Sequence, residues 1–223
     1  MCVLIYKIYS NKDFVNLFIF VFYSFFCIKL NNGIMKRILI FASGSGSNAE
    51  NIIKYFEGGS VGTVVAVFTN NSNAGVLDRA KKLDVPTVIF SKDHLNSGKV
   101  LQRVNQFQPD LIVLAGFLLK FPDNLIEAYP NAVINIHPAL LPKFGGKGMY
   151  GMYIHIAVVE NKEIETGITI HYVNENYDEG NVIFQQNVSL SESDTPESVA
   201  VKIHELEQKH FPEIIEKLLL NNL

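Results

Sequence analysis

Residues 132–146 read AVINIHPALLPKFGG, an apolar run that ends in Asn135 and His137 and then meets two prolines and two glycines. In a strand, side chains at i and i+2 leave the same face. A strand through this run therefore projects Asn135 and His137 together into one cleft. A neutral amide donor beside a titratable imidazole suits a carbonyl whose oxygen becomes negative in a transition state. Asp178 stands in the loop segment Asn176-Tyr177-Asp178-Glu179-Gly180, between two apolar runs. An aspartate beside His137 favours the imidazolium and raises its pKa. Taken alone, a D-x-G segment is a turn former, and a lone histidine is a structural or surface residue.

A second chemical feature is the stretch Ser43-Gly44-Ser45-Gly46-Ser47-Asn48-Ala49. It joins a short apolar run to a segment with helical spacing. The pattern G-x-G-x-x-A fits a dinucleotide fold, but that reading needs an acid at the end of the second strand. Here that strand ends in Phe68-Thr69-Asn70-Asn71, with no acid. An anion is the better reading. Free amides at a helix start point outward with partial positive charge, and Ser47 and Asn48 add side-chain donors. The plain alternative is a strand-to-helix turn capped by Ser47 or Asn48. Of the remaining histidines, His171 falls in a strand and faces either the core or solvent. His155 falls on a helix, and His94 and His210 read as surface positions. His204 and Glu207 share a helix face at i, i+3. No H-x-x-x-H or H-E-x-x-H spacing is present, so no metal is expected.

The elements that must position these groups alternate along the chain. Apolar runs at 38–43, 63–70, 86–90, 110–116 and 132–136 read as strands. Segments 48–58, 74–84 and 99–107 read as helices between them. Continuous apolar runs separated by helices predict a mostly parallel sheet covered on both faces, the doubly wound open α/β class. After residue 162 the pattern changes. Residues 163–173 and 181–190 alternate apolar and polar, which predicts antiparallel strands added at the C-terminal side. Thr195-Pro196-Glu197 opens a last helix, with Thr at the cap and Pro in the first turn. It reaches about Leu220, with a bend expected at Pro212. One domain is expected, its N-terminal half for a nucleotide and its C-terminal half for a second ligand.

The chain has 223 residues, 48% hydrophobic, with a formal net charge of −3. That balance speaks against a nucleic-acid surface. The two cysteines, Cys2 and Cys27, both precede Met35, and the thiol-free body fits a reducing compartment. Residues 1–34 differ from the rest. FVNLFIFVFYSFFCI, at 14–28, is short for a membrane-spanning helix. With Lys7 and Lys12 before it, it has the outline of a signal peptide, but no small-x-small cleavage pattern follows convincingly. The alternative is a start placed too far upstream, since Met35-Lys36-Arg37 before ILIF looks like the beginning of the first strand. The expected division is a hydrophobic extension at 1–34 and a catalytic domain at 35–223.

The run N-I-H-P-x-L-L-P resembles the core motif of the formyltransferases that use 10-formyltetrahydrofolate. ILIFASGSGSN (38–48), DLIVLAGFLLKF (110–121), ITIHYVNENYDEGNVIFQQ (168–186) and HELEQKHFP (204–212) resemble the same family, in its order, and specifically the branch that formylates glycinamide ribonucleotide. The resemblance implies that Asn135, His137 and Asp178 are catalytic. It implies that Gly46, Ser47 and Asn48 hold the ribonucleotide phosphate and Glu207 its amine or ribose. It also implies a folate pocket from Lys99, Leu118, Leu119, Lys120, Phe121, Asn135 and Asn174, where Phe117 reads equally well as core. Residues 145–151, GGKGMYG, depart from the family pattern and are expected to form a mobile flap over the folate, with Tyr150 in it. The implied reaction is formyl transfer in purine synthesis, in the cytoplasm, by a monomer or homodimer with small-molecule substrates, no metal and no nucleic-acid or membrane partner. The alternatives weighed are a formyltetrahydrofolate hydrolase, a methionyl-tRNA formyltransferase and a non-catalytic folate- or nucleotide-binding protein.

Overall fold

The computed structural model describes residues 35–59 and 61–221; the expected extension at 1–34 lies outside them. Seven strands form one sheet: β1 (Lys36–Phe41), β2 (Gly62–Thr69), β3 (Thr87–Ile89), β4 (Leu111–Leu114), β5 (Val133–His137), β6 (Glu165–Tyr172) and β7 (Val182–Ser189). Their spatial order is β3-β2-β1-β4-β5-β6-β7. The first five are parallel, and β6 and β7 are antiparallel additions, as the change in pattern predicts. The order reverses between β1 and β4. Open α/β sheets bind ligands outside the carboxyl ends of the strands at such a reversal.

The helices are α1 (Ser47–Phe56), α2 (Val76–Lys82), α3 (Lys92–Asn96), α4 (Lys99–Phe107), α5 (Asp123–Ala128), α6 (Met152–Glu160) and α7 (Pro196–Leu219). Alternation along β1 divides the core between two faces. Ile38 and Ile40 pack with Ile52 and Phe56 of α1 and with Phe211 and Ile215 of α7. Leu39 and Phe41 pack on the other face with Val100 and Val104 of α4 and Leu125 of α5. Phe41 is the centre of an aromatic cluster, with ring centroids 5.2 Å from Phe68, 5.3 Å from Phe117 and 5.2 Å from Phe121. Each fully buried side chain of this size contributes about 1.5–3 kcal/mol. The two layers therefore make β1 and β4 a stiff floor for whatever binds at their ends.

The last helix ends at Leu219, close to the expected Leu220. It runs unbroken through Pro212, which is buried within it. Its start follows the sequence: the Thr195 hydroxyl accepts from the Ser198 N–H, and the Ser198 hydroxyl accepts from the Thr195 N–H, a reciprocal cap. Among the described residues no helix is long and apolar enough to cross a membrane.

Candidate active site

The carboxyl ends of β1, β4 and β5 open into one cleft of about 610 Å³. It draws on both halves of the chain. Gly46, Ser47, Asn48, Leu118, Leu119, Lys120, Phe121, Asn135, His137, Asn174, Asp178 and Glu207 all line it. Lys99, the first residue of α4, is not among the lining residues. The loop 145–151 contributes Gly146 to Gly151, with Tyr150 stacked edge-on against Tyr153.

The glycine loop leaves backbone donors open at the cleft. Gly46 is the N-cap of α1 at φ 79°, and no side chain caps the helix. A Cβ at Gly46 would lie 2.5 Å from the Val76 side chain; only glycine combines that close approach with a left-handed backbone. The first amides of α1 therefore face the cleft without an intrahelical partner. Arg79 of α2 holds the loop by donating from Nε to the Ser45 carbonyl at 2.9 Å, and it also pairs with Glu50. The Asn48 side chain has a different occupation from the one expected. Its Nδ2 donates to Glu207 Oε2 at 2.9 Å, so these two residues, far apart in sequence, meet in the cleft.

The loop after β4 is tied to the loop after β1. Ser43 is buried; its hydroxyl donates to Asn70 Oδ1 at 2.6 Å and accepts the Leu118 N–H at 3.0 Å. This leaves Leu118 half exposed on the cleft wall while Phe121 turns into the aromatic cluster. Phe117 likewise packs on Phe41 and Phe121, combining core and wall. Lys120 pairs with Asp123 at 3.6 Å.

At the end of β5, Asn135 and His137 leave the same face. The antiparallel partner β6 places His171 opposite Asn135 and Thr169 opposite His137. His171 is the site residue that sequence reasoning left undecided; its parity with Thr169 in ITIHY and the pairing register are the signals that place it. The ring is buried, and Nδ1 lies 2.8 Å from the Tyr172 carbonyl. A carbonyl only accepts, so Nδ1 carries a proton. Nε2 lies 3.1 Å from Asn135 Nδ2. That contact orients the Asn135 amide and leaves an N–H free.

Asp178 stands between the two rings. Its Oδ2 lies 3.5 Å from His137 Nδ1 and its Oδ1 lies 3.6 Å from His171 Nε2. Oδ2 also accepts the Gly146 N–H at 2.9 Å. Asp178 sits at φ 58°, a left-handed backbone that Asp tolerates better than most residues. The glycine two residues on has a steric cause: a Cβ at Gly180 would fall 1.8 Å from the Tyr172 carbonyl oxygen. Burial pushes the Asp178 carboxyl up, but His171, His137 and the Gly146 amide together outweigh it and hold the pKa below the usual value. Asp178 is thus a carboxylate at neutral pH.

His137 differs from the sequence expectation. Its pKa is lowered, because burial outweighs the opposing pull of Asp178, the Phe144 carbonyl and Glu207, while His171 adds to the lowering. Nε2 lies 2.9 Å from the Phe144 carbonyl, which fixes the proton there. The neutral ring therefore turns its Nδ1 lone pair toward Asp178. Further along the cleft, Glu207 raises the pKa of His204, with the two side chains 3.8 Å apart. His155 of α6 is buried on the cleft wall, and its Nδ1 has no hydrogen-bond partner. His210, expected at the surface, is half-buried against Phe184 at a centroid distance of 5.2 Å. Among the described residues no group of three or more His, Cys, Asp or Glu is arranged to hold a metal ion.

A half-buried carboxylate, an imidazole and an amide thus meet at the reversal point of a doubly wound sheet. The family model described as formyl transferase matches residues 36–215, and the chain belongs to that family. At finer grain it is similar to proteins named phosphoribosylglycinamide formyltransferase. It is 38% identical over 187 residues to the chloroplastic one of Arabidopsis thaliana, covering 81% of this chain and 64% of that protein. It is 35% identical over 195 residues to that of Bacillus subtilis strain 168, covering 84% and 97%. The crystal structure of the protein from Bacillus halodurans superposes with a TM-score of 0.76 at 35% identity, covering 82% of this chain and 95% of that one. The chain thus spans less than two thirds of the plant relative's length and nearly all of the bacterial one's.

Proposed function

We propose that this chain transfers the formyl group of 10-formyltetrahydrofolate to the amine of 5-phosphoribosylglycinamide, giving the formylamide and tetrahydrofolate, a step of purine synthesis. The observation that carries the reading is the convergence of Asn135, His137 and Asp178 with the uncapped start of α1 in one cleft. The amides of Gly46, Ser47 and Asn48 take the phosphate, and Glu207 faces the ribose or amine. The wall from Leu118 to Phe121, with Asn174 opposite, takes the folate. The setting is cytoplasmic, in keeping with a body that has no cysteine after Cys27, and the substrates are small molecules.

The chemistry follows from the protonation states. The amine nitrogen attacks the formyl carbon, and the carbonyl electrons move to oxygen. The free N–H of Asn135 donates to that oxygen. His137 receives the amine's proton at Nδ1, and the imidazolium so formed lies 3.5 Å from ionised Asp178. Its charge offsets the oxyanion's. Collapse of the tetrahedral species breaks the bond to folate N10, which takes the proton from His137. The formyl group passes directly, with no covalent enzyme intermediate. Incubation with both substrates, with folate absorbance followed and the ribonucleotide weighed by mass spectrometry, tests this. The expected result is folate release that requires the amine acceptor. Release without acceptor would mean a hydrolase, and no release would mean a binding protein.

A further inference from the structure

A proline inside a helix leaves the carbonyl four residues earlier without its donor. In α7 the proline is Pro212 and the carbonyl is that of Gln208. The donor comes from another helix: Asn51 of α1 donates from Nδ2 to the Gln208 carbonyl at 2.7 Å. The Gln208 side chain then reaches back to α1 and donates from Nε2 to Asn48 Oδ1 at 2.6 Å. Asn48 in turn donates from Nδ2 to Glu207 Oε2 at 2.9 Å. The polarity of this chain of bonds follows from its ends. The Glu207 carboxylate only accepts, so Asn48 must present its NH₂ there and its oxygen to Gln208, which must present its own NH₂. Asn48 and Glu207 line the cleft, and Asn51 and Gln208 do not.

We propose that Asn51 and Gln208 are positioning residues for the ribonucleotide half of the cleft, an inference that rests on the function proposed above. The gap that Pro212 opens in α7 is the socket that locks α7 onto α1. The lock sets which way the Asn48 amide faces and holds one oxygen of Glu207, leaving the other free for the substrate. The folate wall, residues 117–121, is held by Ser43, which makes no hydrogen bond to Asn48, Asn51, Glu207 or Gln208.

The test is steady-state kinetics of Gln208→Met and Asn51→Ala, with each substrate varied separately and each binary complex titrated by calorimetry. The expected result is a rise of about tenfold in KM and Kd for the ribonucleotide, the scale of one charge-assisted hydrogen bond, with the folate KM and kcat within about twofold. A merely structural role would move both substrates together. If Gln208→Met folds poorly, the same-sized Gln208→Glu replaces it; its carboxylate would oppose Asn48 Oδ1 and produce the same split. An unchanged ribonucleotide KM in a folded variant, or parallel loss for both substrates, overturns the proposal. Failure of the unaltered chain to bind the ribonucleotide would instead overturn the reading beneath it, and the titration of that chain reports this first.

Discussion

Asp178→Asn is the most informative single change. The substitution keeps the size of the side chain, and asparagine tolerates the left-handed backbone found at φ 58°. Its oxygen can still accept the Gly146 N–H. What is lost is a negative charge 3.5 Å from His137. At that distance two unit charges attract by about 5 kcal/mol at an effective dielectric of about 20. Water and the Phe144 carbonyl recover part of this. A net loss of about 3–4 kcal/mol remains, or about 10²–10³ in kcat. The substrates bind elsewhere in the cleft, so both KM values should stay within a few-fold. The pH profile adds a sign. In the unaltered chain, activity falls as pH drops through the lowered His137 pKa, because the ring must be neutral to accept a proton. The Asp178 carboxylate raises that pKa, so removing it moves the acid limb to lower pH. Stopped-flow and steady-state rates from pH 5 to 9 measure both effects. Turnover within tenfold of normal, or an acid limb displaced upward, would refute the assignment.

Gly180→Ala places a methyl group 1.8 Å from the Tyr172 carbonyl; the loop must move, costing about 1–3 kcal/mol in thermal unfolding and displacing Asp178, with activity falling further than stability. Gly46→Ala meets Val76 and a left-handed backbone together, so calorimetry should show weakened ribonucleotide binding with folate binding retained. Thr195→Ala removes the cap of α7 and should cost about 1 kcal/mol by denaturant titration, with catalysis unaffected. His137 and His155 are held below the ordinary histidine pKa by burial. The unfolded chain therefore binds more protons than the folded one in that window, so their contribution to stability is full above about pH 6.5 and is lost as pH falls through the lowered values. His155→Leu removes one such group and a buried nitrogen without a partner, and its melting temperature should fall less steeply between pH 7 and 5.

The sheet was legible because its evidence is local. Apolar runs such as LIVL and VINI can only be buried on both faces, and the switch to alternation after residue 162 marks the antiparallel pair. The helices α3 and α5 escaped because five and six residues are too few to display a period. The strand spacing put Asn135 and His137 on one face, and the resemblance, not the D-x-G segment by itself, singled out Asp178. The role of His171 was not legible, since it depends on which strand pairs with β5 and in which register. The direction of the His137 shift was misjudged for a related reason: a charged neighbour can be guessed from sequence, but the depth of burial that outweighs it cannot. Nothing local to Asn48 announces Glu207 and Gln208 as partners of its side chain. Lys99 was placed by the resemblance, since the family carries a basic residue in that region; it is the first residue of α4 and is not among the residues that line the cleft.

A crystal structure with the ribonucleotide and an unreactive folate analogue bound together would test the shared cleft most directly. The phosphate should lie on the amides of residues 46–48, with the amine nitrogen and the formyl-equivalent carbon about 3–3.5 Å apart and the carbonyl oxygen within reach of Asn135. A phosphate bound away from that loop, or reacting atoms held apart with Asn135, His137 and Asp178 touching neither ligand, would contradict it.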